Sequence, residues 1–431
     1  MTDQAEGEGS ARALSSAGTP QVLDVAIVGG SVAGLALACA LADARGPQFA
    51  IGVIEAGSLE LVSTPDVRAF AISAGAGHLL ESVGAWPELA GHAQPMTAID
   101  ITDSDLSDAV RPVLLSYENV VDGEPGTSIV ESQRLRSAIL AAAGRRPTIR
   151  LFGGVAPTAL AVDDAGAELR LSDASVLRAS LLVAADGGRS WLRERAGIKT
   201  VAWSYPQSGI VTTVTHERPH NGRGVQNFLP GGPFAILPMT DSASGKARSC
   251  ITWSEDAEVA RRILALDDVG FLAEIERRFS FRLRRPLQAG PRQSWPLAMH
   301  LARSLIAPRL ALVGDAAHGV HPIAGQGLNL GLRDVAALAE VLADAARLGL
   351  DIGSATVLER YEQWRRLDAA MSAATFDALN RLFSSTSLPL RTVRSLGLGL
   401  VDRVPELKRW LVAEAAGLTG DVPRLLRGER I

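Results

Sequence analysis

"VLDVAIVGGSVAGLALACALADA", Val22 to Ala44, is the stretch on which the fold turns. Its first nine residues are an apolar run that stops on Gly29-Gly30, the pattern of a buried strand ending in a tight turn. From Gly34 to Ala44 small and aliphatic residues continue without a breaker, which predicts a buried helix. "FAIGVIEAG", Phe49 to Gly57, is a second apolar strand, and its acid, Glu55, falls twenty-one residues after Gly34. A βαβ unit that opens on Gly29-x-Ser31-x-x-Gly34 and closes on a carboxylate predicts a dinucleotide site. Glycine lets backbone approach a pyrophosphate, the helix start offers free N–H groups and the positive end of a dipole, and the acid accepts from a ribose hydroxyl. Serine holds the central position, small enough to fit and able to donate to a phosphate. The competing reading is a strand-to-helix turn without a ligand.

Two later segments bear on that choice. "LLVAADGGRSWLRERAG", Leu181 to Gly197, is an apolar strand that ends at Asp186-Gly187 and leads into an arginine-bearing helix. "VGDAAHGVHPIAGQGLNLGLRD", Val313 to Asp334, repeats the pattern with a strand ending at Gly314-Asp315. Alone, either aspartate is a turn former or a helix cap. Together with Glu55 they place three carboxylates at strand C-terminal edges, where open α/β sheets bind ligands. In the last segment Gly325 and Gly327 flank Gln326 just ahead of Leu328, Leu332, Val335, Leu338 and Leu342, an apolar stripe of helical period. So much bare backbone at a helix start suits a bound anion or an electron-rich ring.

The chain has 431 residues, enough for two domains or one domain with a large insertion, and enough to bury a bulky cofactor. It is 47% hydrophobic and 21% charged, and no apolar run approaches the ~20 residues that span a bilayer. A net charge of −4 gives no general field for nucleic acid. Cys39 and Cys250, the only two cysteines, stand far apart in apolar surroundings, which argues against a disulfide framework or a metal site and for buried thiols in a reducing compartment. The first twenty residues are small and polar with no apolar core, the composition of a disordered lead-in rather than a signal peptide.

With these three motifs in place the chain resembles the single-domain FAD-dependent aromatic hydroxylases related to 4-hydroxybenzoate hydroxylase. "GGSVAG" corresponds to the segment that takes the ADP part of FAD, "ADGGRS" to the Asp-Gly motif, and "GDAAHGVHPIAGQGLNLGLRD" to the Gly-Asp motif with its flavin-facing loop. "HPIAGQGLNLGLRD", "SYPQSGIVTTVTHERPHNGRGVQNFLPGGPFAILP" and "RTVRSLGLGLVDRVPELKRWLVAEAAGL" are similar to bacterial ubiquinone-biosynthesis hydroxylases. The resemblance runs from about Val22 to the C-terminus and implies the site residues. Gly29, Gly30, Ser31, Ala33 and Gly34 would hold the ADP moiety and Glu55 the adenosine ribose. Arg68 and Arg134 would lie along the pyrophosphate and ribityl chain, with Asp186 and Gly187 beside them. Gly314 and Asp315 would hold a ribityl hydroxyl. Pro322 would sit beside the isoalloxazine, while Gly325, Gln326, Gly327, Leu328 and Asn329 would aim backbone N–H groups at its N1 and O2 edge, where reduced flavin is negative. Ser31 departs from the glycine usual in the family.

The fold implied is α/β: a Rossmann-like FAD-binding domain at 21–200 and 290–385, with sheet insertions near 70–130. A mixed or antiparallel β-sheet substrate domain at 201–289 is inserted into it, and a C-terminal helical segment occupies 386–431. The activity implied is hydroxylation of the ring of a polyprenylphenol by O2 through a flavin C4a-hydroperoxide. No second glycine-rich βαβ unit is visible, so electrons would come from transiently bound NAD(P)H or from a protein donor. Other ubiquinone-biosynthesis proteins are candidate partners. The rivals are a hydroxylase of a different, soluble aromatic substrate and a flavin-binding scaffold without turnover, the latter resting on Ser31 alone. Among histidines that could help ionise a phenol, His216, His220, His300, His318 and His321, the candidate is His321 beside Pro322. Residues 388–431 carry a net +3 while the rest of the chain carries −7. With Trp410 and a set of leucines there, this end is expected either to meet an anionic inner-membrane surface from the cytoplasm or to pack on the FAD domain.

Overall fold

The structure, a computed structural model, describes residues 20–59, 66–106, 108, 111–279, 283–321, 325–383 and 403–431. The expected lead-in, but for Pro20, lies outside the described residues, as do Pro322 and the stretch 384–402.

Gln21–Val28, the helix Val32–Arg45 and Ile51–Glu55 form the βαβ unit read from the sequence. Five strands lie parallel in the order Ile149–Gly153, Ile51–Glu55, Gln21–Val28, Val176–Ala184, Leu310–Leu312. Gly166–Leu171 and Pro157–Asp163 continue the sheet antiparallel from the first half of Val176–Ala184. The three strands that end in Gly29, Asp186 and Asp315 are therefore adjacent, and their C-terminal edges share one side of the sheet. Ten successive residues of the first helix, Ala33 to Ala42, are buried, because it lies between the sheet and the helix Gly327–Arg347. An all-apolar helix can be stable only in such a place.

A second, nine-stranded mixed sheet stands beside the first. Its path is His318–Gly319, Gln293–Ala302, Thr200–His216, Arg248–Asp256, Gly232–Met239, Arg223–Leu229, Ala98–Asp103, Val113–Glu118, with Pro286–Ala289 on the long strand. It thus draws on residues on both sides of the 201–289 stretch. Only the pair Arg223–Leu229 and Ala98–Asp103 is parallel. The alternation of a strand separates its two faces. Phe234, Ile236, Ile251 and Trp253 pack against the helices Ala257–Leu264 and Asp268–Arg278, whereas Ala235, Leu237 and Thr252 face the first domain across a cavity.

The long helix Ala355–Phe383 and the helix Pro405–Ala416 close the chain. Proline starts the second of these and Gly417, at φ 77°, ends it. Lys408 Nζ donates to the Ser116 carbonyl at 3.2 Å and Arg333 Nη2 to the Glu414 carbonyl at 3.0 Å, so this helix is fastened both to the edge of the sheet and to the cofactor domain. Cys39 and Cys250 are buried in separate cores. No helix among the described residues is long and apolar enough to cross a membrane.

Candidate cofactor and substrate site

At the first strand edge the backbone turns where only glycine fits. Gly29 has φ 118°, and a Cβ there would lie 2.1 Å from the Ala185 carbonyl oxygen; one on Gly34 would lie 2.0 Å from the Gly29 oxygen. Glu55 braces the turn, its Oε2 accepting from the Gly30 N–H at 2.7 Å and its Oε1 from the Gly57 N–H at 2.9 Å. Ser31 caps the helix: its hydroxyl accepts from the Gly34 N–H at 3.5 Å and donates to the Ala185 carbonyl at 3.4 Å. The hydroxyl expected for a phosphate is thus spent on the protein, while the residue still borders the cavity.

The second and third edges are held by side chains from far along the chain. Asp186 Oδ2 accepts from the N–H groups of Trp191 at 2.8 Å and Leu192 at 3.3 Å. Burial pushes its carboxyl up, and its Oδ1 is buried without a hydrogen-bond partner among the described residues. In the turn Gly314–Ala316 the Gly314 N–H donates to Asp334 Oδ2 at 3.0 Å. His300 Nε2 donates to the Asp315 carbonyl at 2.7 Å, and Arg193 donates to both the Ala316 carbonyl at 2.9 Å and the Gly188 carbonyl at 2.8 Å. Asp334 also takes His318 Nε2 at 2.6 Å and Arg365 Nε at 2.8 Å. In this fully buried trio, desolvation alone would raise the Asp334 carboxyl and lower the His318 imidazolium. The opposite charges outweigh it, so Asp334 is held below and His318 above its ordinary range.

Gly29, Ser31, Ala33, Glu55, Arg68, Asp186, Gly187, Gly314, Asp315, Gly325, Gln326, Gly327 and Leu328 all line one cavity of about 1590 Å³. Arg68 is ion-paired with Asp66 at 2.7 Å. Arg134 is the exception among the arginines. It is exposed and off the cavity wall, whereas Ser132 and Arg136 are on it, because positions 132 and 136 share a face of the helix Ser132–Gly144 and position 134 does not. The Asn329 side chain is likewise turned away: Nδ2 donates to the Ala71 carbonyl at 2.8 Å and Oδ1 accepts from the Ser73 N–H at 3.0 Å, tying the helix to the strand Ala69–Ser73. His321 is fully buried, packs edge-on against Tyr205 with ring centroids 5.2 Å apart, and does not border the cavity. Burial pushes its imidazole down to about 4, so it is neutral at physiological pH. Of the five candidate histidines, only His300 lines the cavity. Arg136, Arg193, Asp334 and Arg365 carry no site reading in the sequence, and His300 only that of one candidate base among five histidines. Asp334 had a local signal, a carboxylate inside an apolar helical stripe.

The far side of the cavity is the second sheet. Ile99, Ile101, Leu115, Phe228, Leu237 and Trp295 make an apolar floor, and Leu379, Leu382, Leu411 and Val412 border it where the two last helices approach. The dinucleotide end suits FAD. It has a glycine turn at a helix start, a carboxylate at the ribose position, a buried unsatisfied acceptor at Asp186, and first-turn backbone of Gly327 and Leu328 facing the space.

Comparison with known proteins agrees with this geometry. The family described as "FAD binding domain" matches residues 22–376. The chain is 44% identical to "Ubiquinone hydroxylase UbiL" of Rhodospirillum rubrum over 411 residues, covering 95% of this chain and 93% of that one. It is 36% identical to "3-demethoxyubiquinol 3-hydroxylase" of Escherichia coli, covering 93% and 100%. Among solved structures, p-nitrophenol 4-monooxygenase PnpA of Pseudomonas putida shares the fold with a TM-score of 0.74 at 19% identity, covering 93% of this chain and 99% of that one. The chain belongs to the FAD binding domain family. It is a flavoprotein, an FAD-dependent aromatic-ring monooxygenase.

The buried trio sets a pH dependence of stability. His318, with its raised folded value, contributes fully below its unfolded value of about 6.5 and loses that contribution as pH rises through the folded value. Asp334, with its lowered value, contributes fully above about 4 and loses it as pH falls through its folded value. Asp334→Asn leaves Arg365 buried opposite a neutral group and is expected to cost about 3–5 kcal/mol. His318→Gln is expected to flatten the alkaline limb of the melting-temperature profile and also to weaken the acid limb, because the His318 charge is the first of those that hold Asp334 down. An unchanged alkaline limb in that variant would remove His318 from the account.

Proposed function

We propose that this protein hydroxylates the aromatic ring of a polyprenylphenol intermediate of ubiquinone biosynthesis, using O2 and electrons from NAD(P)H or a protein donor. One observation carries the reading. The cavity that begins at the glycine turns continues over an apolar sheet floor to the last two helices, and at about 1590 Å³ it exceeds the 300–1,000 Å³ usual for a single small ligand. A cofactor and a long apolar substrate can share it. The names of the relatives at 44% and 36% identity support the same substrate class.

FAD, when bound, supplies the chemistry that reduces O2 and passes one oxygen atom to an electron-rich ring. The chain supplies binding, orientation and dryness. Glu55 would hold the adenosine ribose, the Gly29–Gly34 turn the pyrophosphate, Arg68 and Arg136 its charge, and Asp315 a ribityl hydroxyl. Backbone N–H groups at Gly327 and Leu328 would stabilise negative charge on the reduced ring. The apolar floor would keep water from the reacting centre.

A prenyl tail resides in a bilayer, so the same reading sets the border between the last two helices against the cytoplasmic face of the inner membrane. Leu367, Met371, Trp410 and Leu411 are exposed on these two helices, Met371 at 61% and Trp410 at 55%. Exposed Arg366 and Arg409 stand on the same two helices, and exposed Arg403 just ahead of the second.

Three outcomes are expected. FAD-loaded protein consumes O2 only when a polyprenylphenol is present and yields a product heavier by one oxygen atom. Equal turnover of short soluble phenols would overturn the proposed substrate. Asp315→Ala loses a hydrogen bond from a charged group worth ~1.5–3 kcal/mol, hence about tenfold or more in FAD affinity by flavin fluorescence titration, whereas Ser31→Gly is close to neutral because it removes only a helix cap. On anionic vesicles the wild type floats at low salt, and a Trp410→Asp, Leu411→Asp variant that still holds FAD stays in solution; equal flotation of the two would free this face from the membrane.

A further inference from the structure

Of the buried side-chain nitrogen and oxygen atoms without a hydrogen-bond partner among the described residues, two belong to residues on the cavity wall. One is Asp186 Oδ1, at the cofactor end. The other is Gln226 Nε2, on the opposite side, in the strand Arg223–Leu229. Register places Gln226 mid-floor. It lies opposite Ile101 on one neighbouring strand and Ala235 on the other, with Thr252 beyond Ala235 and Val211 beyond Thr252. All five of these border the cavity, so the carboxamide stands in a row of apolar or small side chains. A buried amide nitrogen with no partner is costly, and a sheet floor made for an apolar ligand alone would carry an aliphatic residue here.

We infer that Gln226 holds an oxygen substituent of the substrate ring and so sets which ring position faces the flavin. The inference rests on the proposed aromatic substrate. Whichever way it is turned, the carboxamide offers donors and an acceptor at one end. Nε2 itself has almost no accessible surface, so the carboxamide turns about its last bond to bring an N–H to a phenolic oxygen, where it stabilises the ionised form, the more electron-rich ring, without itself gaining or losing a proton. A neutral donor suits this side of the cavity. The cavity's carboxylates, those of Glu55, Asp66, Asp186 and Asp315, all belong to the cofactor side, and the His300 Nε2–H is committed to the Asp315 carbonyl. Ala235, next in the row, leaves room for a flat ring to lie against the backbone beside the amide. The apolar residues on either side fix the ring by shape, and Gln226 fixes its rotation.

The test uses the FAD-loaded full chain with Gln226→Leu and Gln226→Met. The first removes the amide, and the second removes it while keeping the length of the side chain. Both are expected to keep the wild-type affinity for FAD. Both are expected to raise KM for the polyprenylphenol about tenfold or more. The yield of hydroxylated product per O2 consumed should fall, because a ring free to rotate misses the transfer and O2 is reduced without product. Gln226→Glu, which places a carboxylate against the phenolic oxygen, should be worse than either. Wild-type KM and product yield in the methionine variant overturn the inference even if the leucine variant folds poorly. Absence of polyprenylphenol turnover by the wild type would instead overturn the substrate reading beneath it.

Discussion

The short turn Gly314–His318 is the constraint on which the site depends. Its polar groups, and the strand end that leads into it, are bound by side chains that converge from four distant elements. Tyr361 donates to the Leu312 carbonyl, His300 to that of Asp315 and Arg193 to that of Ala316, while Asp334 receives both the Gly314 N–H and His318. A loop that leaves backbone bare for a ligand has no side-chain packing of its own to hold it. Here the rigidity comes from outside, and the price of burying Asp334 is met by two cations rather than one. The Asp315 side chain remains exposed to the cavity.

The same turn explains why small residues crowd this part of the chain. A Cβ on Gly331 would lie 3.0 Å from the Gly314 Cα, and one on Gly314 would lie 3.7 Å from the Ala33 Cβ. The starts of two helices and the strand-edge turn therefore touch almost backbone to backbone. Two helix N-termini are brought to one side of the sheet, where their dipoles act on the same space. Closeness of this kind orients a cofactor to within a fraction of an ångström, which is what oxygen transfer to one chosen ring carbon requires.

What was legible in the sequence is what local signals can carry. Apolar runs ending on glycine marked three strand edges, and the spacing from Gly34 to Glu55 marked a dinucleotide fold. What escaped was phase and partnership. Arg134 and Arg136 are equally basic, and only the observed start of their helix at Ser132 decides which one reaches the cavity. His321 looked catalytic from its neighbours in the chain, yet it is tucked behind the wall against Tyr205. Arg365 joins Asp334 across thirty-one residues, and Ala98–Asp103 pairs with Arg223–Leu229 across more than a hundred. No window-based pattern contains such a pairing. Gln226 was readable as a strand residue, but its facing follows from register across the whole sheet.

The cavity divides chemically along its length, and the division argues for an order of binding. The cofactor end is built from backbone and carboxylates, groups that tolerate water until a ligand replaces it. The floor and the far border are mainly aliphatic and aromatic, and among the described residues their one charge is Lys408, whose Nζ is turned to the Ser116 carbonyl. An apolar tail entering there gains about 25 cal/mol for each Å² it buries, while charged water-bound groups gain nothing by that route. For the proposed polyprenylphenol the ring would arrive last, drawn to the middle of the floor by its own tail. There the Gln226 amide would meet it, a neutral group that does not compete with the flavin edge for negative charge. Apolar affinity would then hold the proposed substrate, and hydrogen bonding would be left free to choose its orientation, so that tightness and selectivity would reside in different parts of one cavity.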